Sequence, residues 1–548
     1  MVYCGKASQG CQNCRTRRIK CDKKRPECSQ CIRVAKKCPG YRDQLSLMFR
    51  DESSKVIQKA HAQWGGSPLE SSPASSSSSS SSGSSSPPAA IENDTPTFEI
   101  TPANGLVARH DLRPLAVDKS ISPNLDERGL QFYITRYLMN HPDAPVGPDG
   151  SVIYIPQNDV VQNVMIAVGL AGLGNLGSDK QLTTLSRQRY TMSLRETSSL
   201  ITSTPRTDAA TVGSVIRSIV TLALYEVVHG SGTRASAGTA NVHINGAVAL
   251  LRSVLPLSHL PDGGTRVVLQ VLFSLFIPSQ MTEAPLAPAF FECLKVCQDN
   301  LEGSPERVCV DLAMTIARLV QLSSILVKQR LSDESIEVEA HMRQLLALRA
   351  ACDRLEKRLW ETYPYAVKQI DSLPAIAVYH DTYHAYTEIW SARIWNHFRW
   401  ARILILEILL RLSDDFPILG SRSVPVADRI DLLATIKRMS TDLLVSTPSH
   451  WHHPVLDKPT AKMMEAPSKG GTGAVGLPTL LWHLKVAACA QGVEDEAYDW
   501  VYNVMQVVWK DMGMQHARLI AGFMDEHKIG LEKEALNRIL KLEEDDDY

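Results

Sequence analysis

From about Asp126 onward, apolar residues recur at intervals of three and four. Val212, Val215, Ile216, Ile219, Leu222 and Ala223 mark one face of a helix, with Thr207-Asp208 placed to cap its start. The same period predicts helices near residues 158–173, 180–202, 240–254, 306–330, 336–358, 376–412, 427–445, 478–490 and 495–526. Period-two alternation is scarce, and Ser151-Val152-Ile153-Tyr154-Ile155 is its best example. The pattern predicts one large all-α body over residues 125–542, with Pro/Gly/Ser loops, rather than several α/β domains. No 18-residue stretch reads as both wholly apolar and free of amphipathicity, so neither a membrane span nor a membrane partner is expected.

Ahead of the body the helical period fades. Residues 71–86 contain 13 serines, followed by Pro87-Pro88. Such a tract cannot bury enough apolar surface to offset its ordering entropy, so residues 65–124 are expected to be a disordered Ser/Pro-rich tether. Its Ser-Pro and Thr-Pro pairs read as linker composition. Residues 43–64 form a short linker with Leu45, Phe49 and Val56 at loose helical spacing. Glu52 and Lys59 occupy positions that a zipper needs apolar, so no coiled-coil seam is predicted and a homodimer is left open.

Charge separates head from body. The chain of 548 residues has a net charge of −1, yet residues 1–42 hold twelve Lys and Arg against Asp22 and Glu27. That head carries +10 and the other 506 residues −11. A cationic module on an acidic body suits a head that binds a polyanion. The basic start has no apolar core and is not read as a signal peptide.

Seven of twelve cysteines lie in residues 1–38. Cys11-x2-Cys14-x6-Cys21 recurs as Cys28-x2-Cys31-x6-Cys38, displaced by 17 positions. Cys-x2-Cys at the start of a helical turn puts two sulfurs within reach of one ion, and tetrahedral zinc takes four such ligands. Two zinc ions need eight ligand positions, so six thiolates suffice only if two are shared. The repeat's symmetry assigns the sharing to Cys11 and Cys28. Two zinc ions with six thiolates leave −2, so the loaded head stays near +8. Cys4 lies outside the pattern and reads as a spare thiol.

These spacings, with Arg15-Thr16-Arg17-Arg18-Ile19-Lys20 inside and Arg25-Pro26-Glu27 between the halves, resemble the fungal zinc-binuclear-cluster transcription factors. The resemblance implies a small finger of two short helices, joined by the Ser-rich linker to the all-α domain. In that family the first and fourth cysteines bridge the zincs, and the first-half helix enters the major groove of double-stranded DNA to read a CGG-like triplet. Carried over, Arg17 and Arg18 match the family's basic pair. Many members have Lys where this chain has Arg18, which keeps guanine recognition but leaves the triplet open. Lys20 precedes the third cysteine, while Arg15, Lys23, Lys24 and Arg25 are placed on phosphates. The same basic run suits nuclear import.

Val168-Gly169-Leu170-Ala171, Leu224-Tyr225-Glu226, His243-Ile244-Asn245-Gly246-Ala247 and Trp395–Arg402 resemble the helical regulatory domain that follows such clusters. Together these features imply a zinc-dependent, sequence-specific regulator of RNA polymerase II transcription. Its expected setting is the nucleus, controlling a fungal metabolic or biosynthetic gene set and contacting the transcription machinery or co-regulators.

The rival is an enzyme or ligand-sensing protein carrying an accessory finger, and the body's candidate motifs are weak. Gly172-x-Gly174-x-x-Gly177 spells a dinucleotide fingerprint, with Glu196 near the acidic offset, but it follows a helix and reads as a helix end. Gly470–Gly476 lacks the Lys-Ser/Thr of a phosphate loop and reads as a connector. His450-Trp451-His452-His453-Pro454 reads as a surface loop, Cys293 and Cys297 as buried thiols, and residues 543–548 as a solvated acidic tail. No catalytic constellation is found, so the chain is not expected to be an enzyme.

Overall fold

The computed structural model describes most of residues 11–39 and residues 124–138, 159–203, 209–230, 234–254, 264–329, 335–467 and 476–546. Residues 18, 23, 25–27 and 35 fall outside this set. So do Thr207-Asp208, Ser151–Ile155, Cys4, the linker, the serine tract and residues 470–475.

The head contributes α1 (Gln12–Thr16) and α2 (Ser29–Arg33). The body begins with α3 (Leu125–Phe132), which runs into a π-helical turn over Tyr133–Leu138. A capping box starts α3: Asn124 Oδ1 accepts from the Glu127 N–H at 2.8 Å, and Glu127 accepts from the Asn124 N–H at 3.1 Å. Then come α4 (Asp159–Gly177), α5 (Lys180–Ser203), α6 (Ala209–His229) and α7 (Arg234–Val254). Next are α8 (Gly264–Phe273), α9 (Phe276–Thr282), α10 (Pro288–Asn300), α11 (Arg307–Gln329) and α12 (Ser335–Thr362). A hairpin of β1 (Tyr365–Gln369) and β2 (Thr382–Tyr386) interrupts the helices. The second half comprises α13 (Ile389–Asp415), α14 (Pro417–Ser423), α15 (Val426–Val445), α16 (Lys458–Met464), α17 (Gly476–Ala488), α18 (Asp495–Met512) and α19 (Gln515–Asp546).

Two packing centres organise the body. Helix α4 lies against α3, α5 and α6, while α13 lies against α12, α15 and α17. Among the described residues three segments, Val160–Gly177, Val212–His229 and Arg307–Val327, are long and apolar enough to cross a membrane by length and composition. Between 61% and 67% of each window is buried inside the protein, so the apolarity that amphipathicity was expected to break up serves helix packing.

Close approach explains two of the glycines of α4. A Cβ on Gly169 would stand 1.8 Å from the Gly129 carbonyl oxygen, and one on Gly172 would meet the Tyr137 hydroxyl at 2.4 Å. The dinucleotide-like glycines thus lie at the end of a packed helix. Asn175 within that run donates to the carbonyls of Val228 (2.8 Å) and Gly513 (2.7 Å), and Glu196 accepts from Asn163 at 3.0 Å.

Three expectations need correction. Residues 376–412 are not one helix: β2 pairs antiparallel with β1, Tyr365 opposite Tyr386, before α13 begins. Left-handed backbone at His380 and Asp381 (φ 54° and 51°) breaks any helix there, and the aromatic Tyr383 and Tyr386 are buried from the strand. Residues 495–526 divide at Gly513, whose φ of 66° ends α18. Helices α8 to α10 arise where the period was too short to stand out. Helix α19 runs through Asp546.

Wholly buried Arg399 joins the hairpin to α13 and α15. It donates to the Tyr386 hydroxyl at 2.8 Å and to Asn396 Oδ1 at 3.0 Å, with its Nε 3.8 Å from Asp442. The family-like segments of α6 and α7 meet at Tyr190, whose hydroxyl donates to Glu226 and lies 2.9 Å from His243 Nε2.

Candidate metal centre and nucleic-acid interface

The head's two helices repeat their local bonding. The Ile19 N–H reaches the Cys14 carbonyl at 3.0 Å, and 17 residues on the Lys36 N–H reaches the Cys31 carbonyl at 3.1 Å. Each helix begins beside the first cysteine of its half, and the sulfurs converge between them. Cys11 Sγ is 3.7 Å from Cys28 Sγ and 3.6 Å from Cys31 Sγ, while Cys14 and Cys28 are 3.7 Å apart.

The sulfurs form two groups of four, each with its atoms within 4.8 Å of one another: Cys11, Cys14, Cys21 and Cys28, and Cys11, Cys28, Cys31 and Cys38. All six are free thiols, and all but Cys21 are buried. Only Cys11 and Cys28 belong to both groups.

The donor set fits zinc. Burial pushes the Cys11 thiol up to about 12 and raises Cys28 as well. Bringing such sulfurs together as thiolates at neutral pH takes cations between them, and soft four-sulfur sites are a normal zinc environment.

Two supporting side chains escaped sequence reading. Asn13 donates to the Lys37 carbonyl at 3.1 Å and approaches Cys31 Sγ at 3.6 Å, linking the halves. Asp22 accepts from the Ser29 N–H at 3.2 Å, at the start of α2. Hydrogen bonds from Ser29 hold the Asp22 carboxyl below the usual carboxylate range. Both contacts cross between repeats, so spacing alone carries no sign of them. The acidic residue within the basic run was the one available hint.

Arg17, Lys20 and Lys24 are exposed, as phosphate or base contact requires. Arg15 lies in α1, and Arg18, Lys23 and Arg25 are outside the described residues. The repeat also makes the faces unequal. Positions 15 and 17 are arginine in the first half, whereas 32 and 34 are isoleucine and valine in the second. The first half is therefore the more cationic around its helix.

Elsewhere, Cys293 and Cys297 are fully buried, and burial pushes both thiols up to about 12. The segment from His450 to His453 is not a surface loop: His450, Trp451 and His453 are buried, because it packs inside the body after the turn at Thr447–Ser449. Among the described residues the only metal-ready groups are the two cysteine sets.

Comparison with known proteins agrees with this geometry. Residues 9–47 match the fungal Zn(2)-Cys(6) binuclear cluster domain, and residues 127–422 match the fungal specific transcription factor domain. The aspercryptin biosynthesis cluster-specific transcription regulator of Emericella nidulans is 49% identical over 37 residues, 7% of this chain and 6% of that protein. White-opaque regulator 2 of Candida albicans is 53% identical over 38 residues, 7% of this chain and 8% of that protein. No solved structure matches. Both family models describe transcription regulators rather than enzymes, and the cluster domain takes two zinc ions. The chain belongs to the fungal-specific transcription factors that carry a DNA-binding Zn(2)-Cys(6) cluster.

Proposed function

We propose that this protein regulates RNA polymerase II transcription by reading CGG-like triplets in the major groove. One zinc is held by Cys11, Cys14, Cys21 and Cys28, the other by Cys11, Cys28, Cys31 and Cys38. The observation that carries this reading is the pair of four-sulfur groups with two members in common, with Arg17, Lys20 and Lys24 exposed in the same head. The zincs supply rigidity: a head of about forty residues has little core of its own, so metal binding is its folding energy.

Arg17 and Arg18 are assigned to base edges, with Lys20 beside them, and Arg15, Lys23, Lys24 and Arg25 to phosphates. The nuclear setting follows from the basic run and the family. Residues 1–42 act as the DNA-binding domain, 43–64 and 65–124 as linker and tether, 125–542 as the regulatory body and 543–548 as its acidic end. Co-regulator contact is assigned to the body. The named relatives match only the head, so a biosynthetic gene set is supported by the printed function of one of them alone. Selection from random duplexes with the zinc-loaded chain tests the reading. Enrichment of CGG-like triplets supports it, and recovery of unselected sequence at the same affinity refutes it.

A further inference from the structure

Helices α8, α13 and α17 and the turn at His450 enclose a cavity of about 30 Å³, room for a few heavy atoms. Eleven residues line it, and none is acidic. The polar ones include Gln270, Arg393, Asn396, His397, His450 and His483. Asn396, His397, His450 and His483 are each more than nine-tenths buried. Among the described residues, Asn396 Nδ2, His397 Nδ1, His483 Nε2 and Gln270 Oε1 make no hydrogen bond.

Leaving such atoms unmet in one place is costly, and native interiors rarely do it without a function or bound partner. Three of them, on Asn396, His397 and His483, can donate, whereas Gln270 Oε1 accepts. We propose that this cavity binds the carboxylate head of a small molecule.

Three observations select that chemistry. The lining offers a guanidinium, an amide N–H2 and imidazole N–H groups, with no carboxylate to repel an anion. Thr479 lies in the first turn of α17, the positive end of that helix. The imidazole nitrogens do not converge into a metal-ready group, which removes a buried zinc from consideration. Burial pushes His397 and His450 down to about 3, so each ring stays neutral. His450 Nδ1 is already 2.9 Å from Ser449 Oγ, and the unmet Nδ1 of His397 is the one placed to donate. The volume suits a three-atom head better than a whole metabolite, so the rest of the ligand extends through the mouth. Ordered water is the competing occupant.

The site does not depend on the DNA reading, and its test uses no DNA. Thermal unfolding of the full chain is followed in sodium acetate and in acetamide, its uncharged counterpart of the same shape, with ionic strength matched by chloride. Acetate should raise the midpoint of the body by about 2 °C near saturation, and acetamide should not. Asn396→Asp, which puts a negative group in the cavity, should weaken the acetate effect at least about tenfold. His483→Gln is read instead if that variant does not fold. No acetate shift, an equal shift with acetamide, or an undiminished shift in the folded variant would overturn the proposal and leave water as the occupant.

Discussion

Cys11 and Cys28 hold their sulfurs 3.7 Å apart, and each stands in both four-sulfur groups. Seventeen residues separate them, and each opens one half of the head. A substitution at either therefore acts on two sites, and one at an outer cysteine on a single site.

Cys28→Ala should lose both zincs and the fold of the head, whereas Cys38→Ala should retain about one zinc. Metal analysis of the purified full chains, after removal of loosely held zinc, separates the two outcomes. Equal zinc loss in both variants would show that the sulfurs are not shared.

Asn13→Ala removes the bond to Lys37 and the contact with Cys31 while leaving every thiol in place. Supporting contacts of this kind are commonly worth about 10–100-fold in metal affinity. Competition with a chromophoric chelator should show a loss in that range for one zinc. An unchanged titration would assign Asn13 to packing alone.

On DNA, Arg18→Ala should cost about 1–3 kcal/mol on guanine-containing sites and little on others. Lys23→Ala should weaken all duplexes alike and reduce the salt dependence of binding. Uniform loss for Arg18→Ala would move it from bases to phosphates.

In the body, Gly513→Ala should destabilise by about 2–4 kcal/mol. Its φ is positive, and the new Cβ would lie 2.3 Å from the Gly172 carbonyl oxygen. Gly522→Ala, at an exposed position of α19 with nothing within 4 Å, should stabilise by up to about 1 kcal/mol. Urea unfolding of both variants checks the contrast, and similar effects would mean that α18 and α4 do not touch at this point.

Acid should destabilise the body. Burial pushes His384 down to about 2, His397 and His450 to about 3, and His452 and His516 to about 4. The unfolded chain protonates these rings near pH 6.5 and the native one does not. Each therefore costs about 1.4 kcal/mol per pH unit below that point, until its native value is reached. Glu407, raised to about 7 by burial, and the raised Asp442 and Glu465 act in the opposite direction but are fewer. The melting midpoint should fall between pH 6.5 and 5, and a flat profile would contradict the burial of the histidines.

What could be read in advance followed from what each signal requires. Ligand count and a 17-residue repeat are properties of the chain, so the membership of Cys11 and Cys28 in both four-sulfur groups was visible before any geometry. Long helices such as α5 and α11 declared themselves by period. Asn13 and Asp22 act across the repeat, where spacing is silent. The hairpin was hidden because the aromatic run from Tyr383 to Trp395 also fits a helical face, until left-handed His380 and Asp381 decide otherwise. The histidines after Pro448 looked solvent-facing between prolines, but the body closes over them. Glycines 172 to 177 resembled a nucleotide fingerprint, since close backbone packing and phosphate approach both favour the smallest residue.

The most direct test is zinc content and duplex binding measured on one preparation of the full chain, before and after exhaustive chelation. Two zincs per chain, with specific binding lost on chelation and restored by added zinc, are the expected result. One zinc per chain, or undiminished specific binding by the metal-free protein, would contradict it.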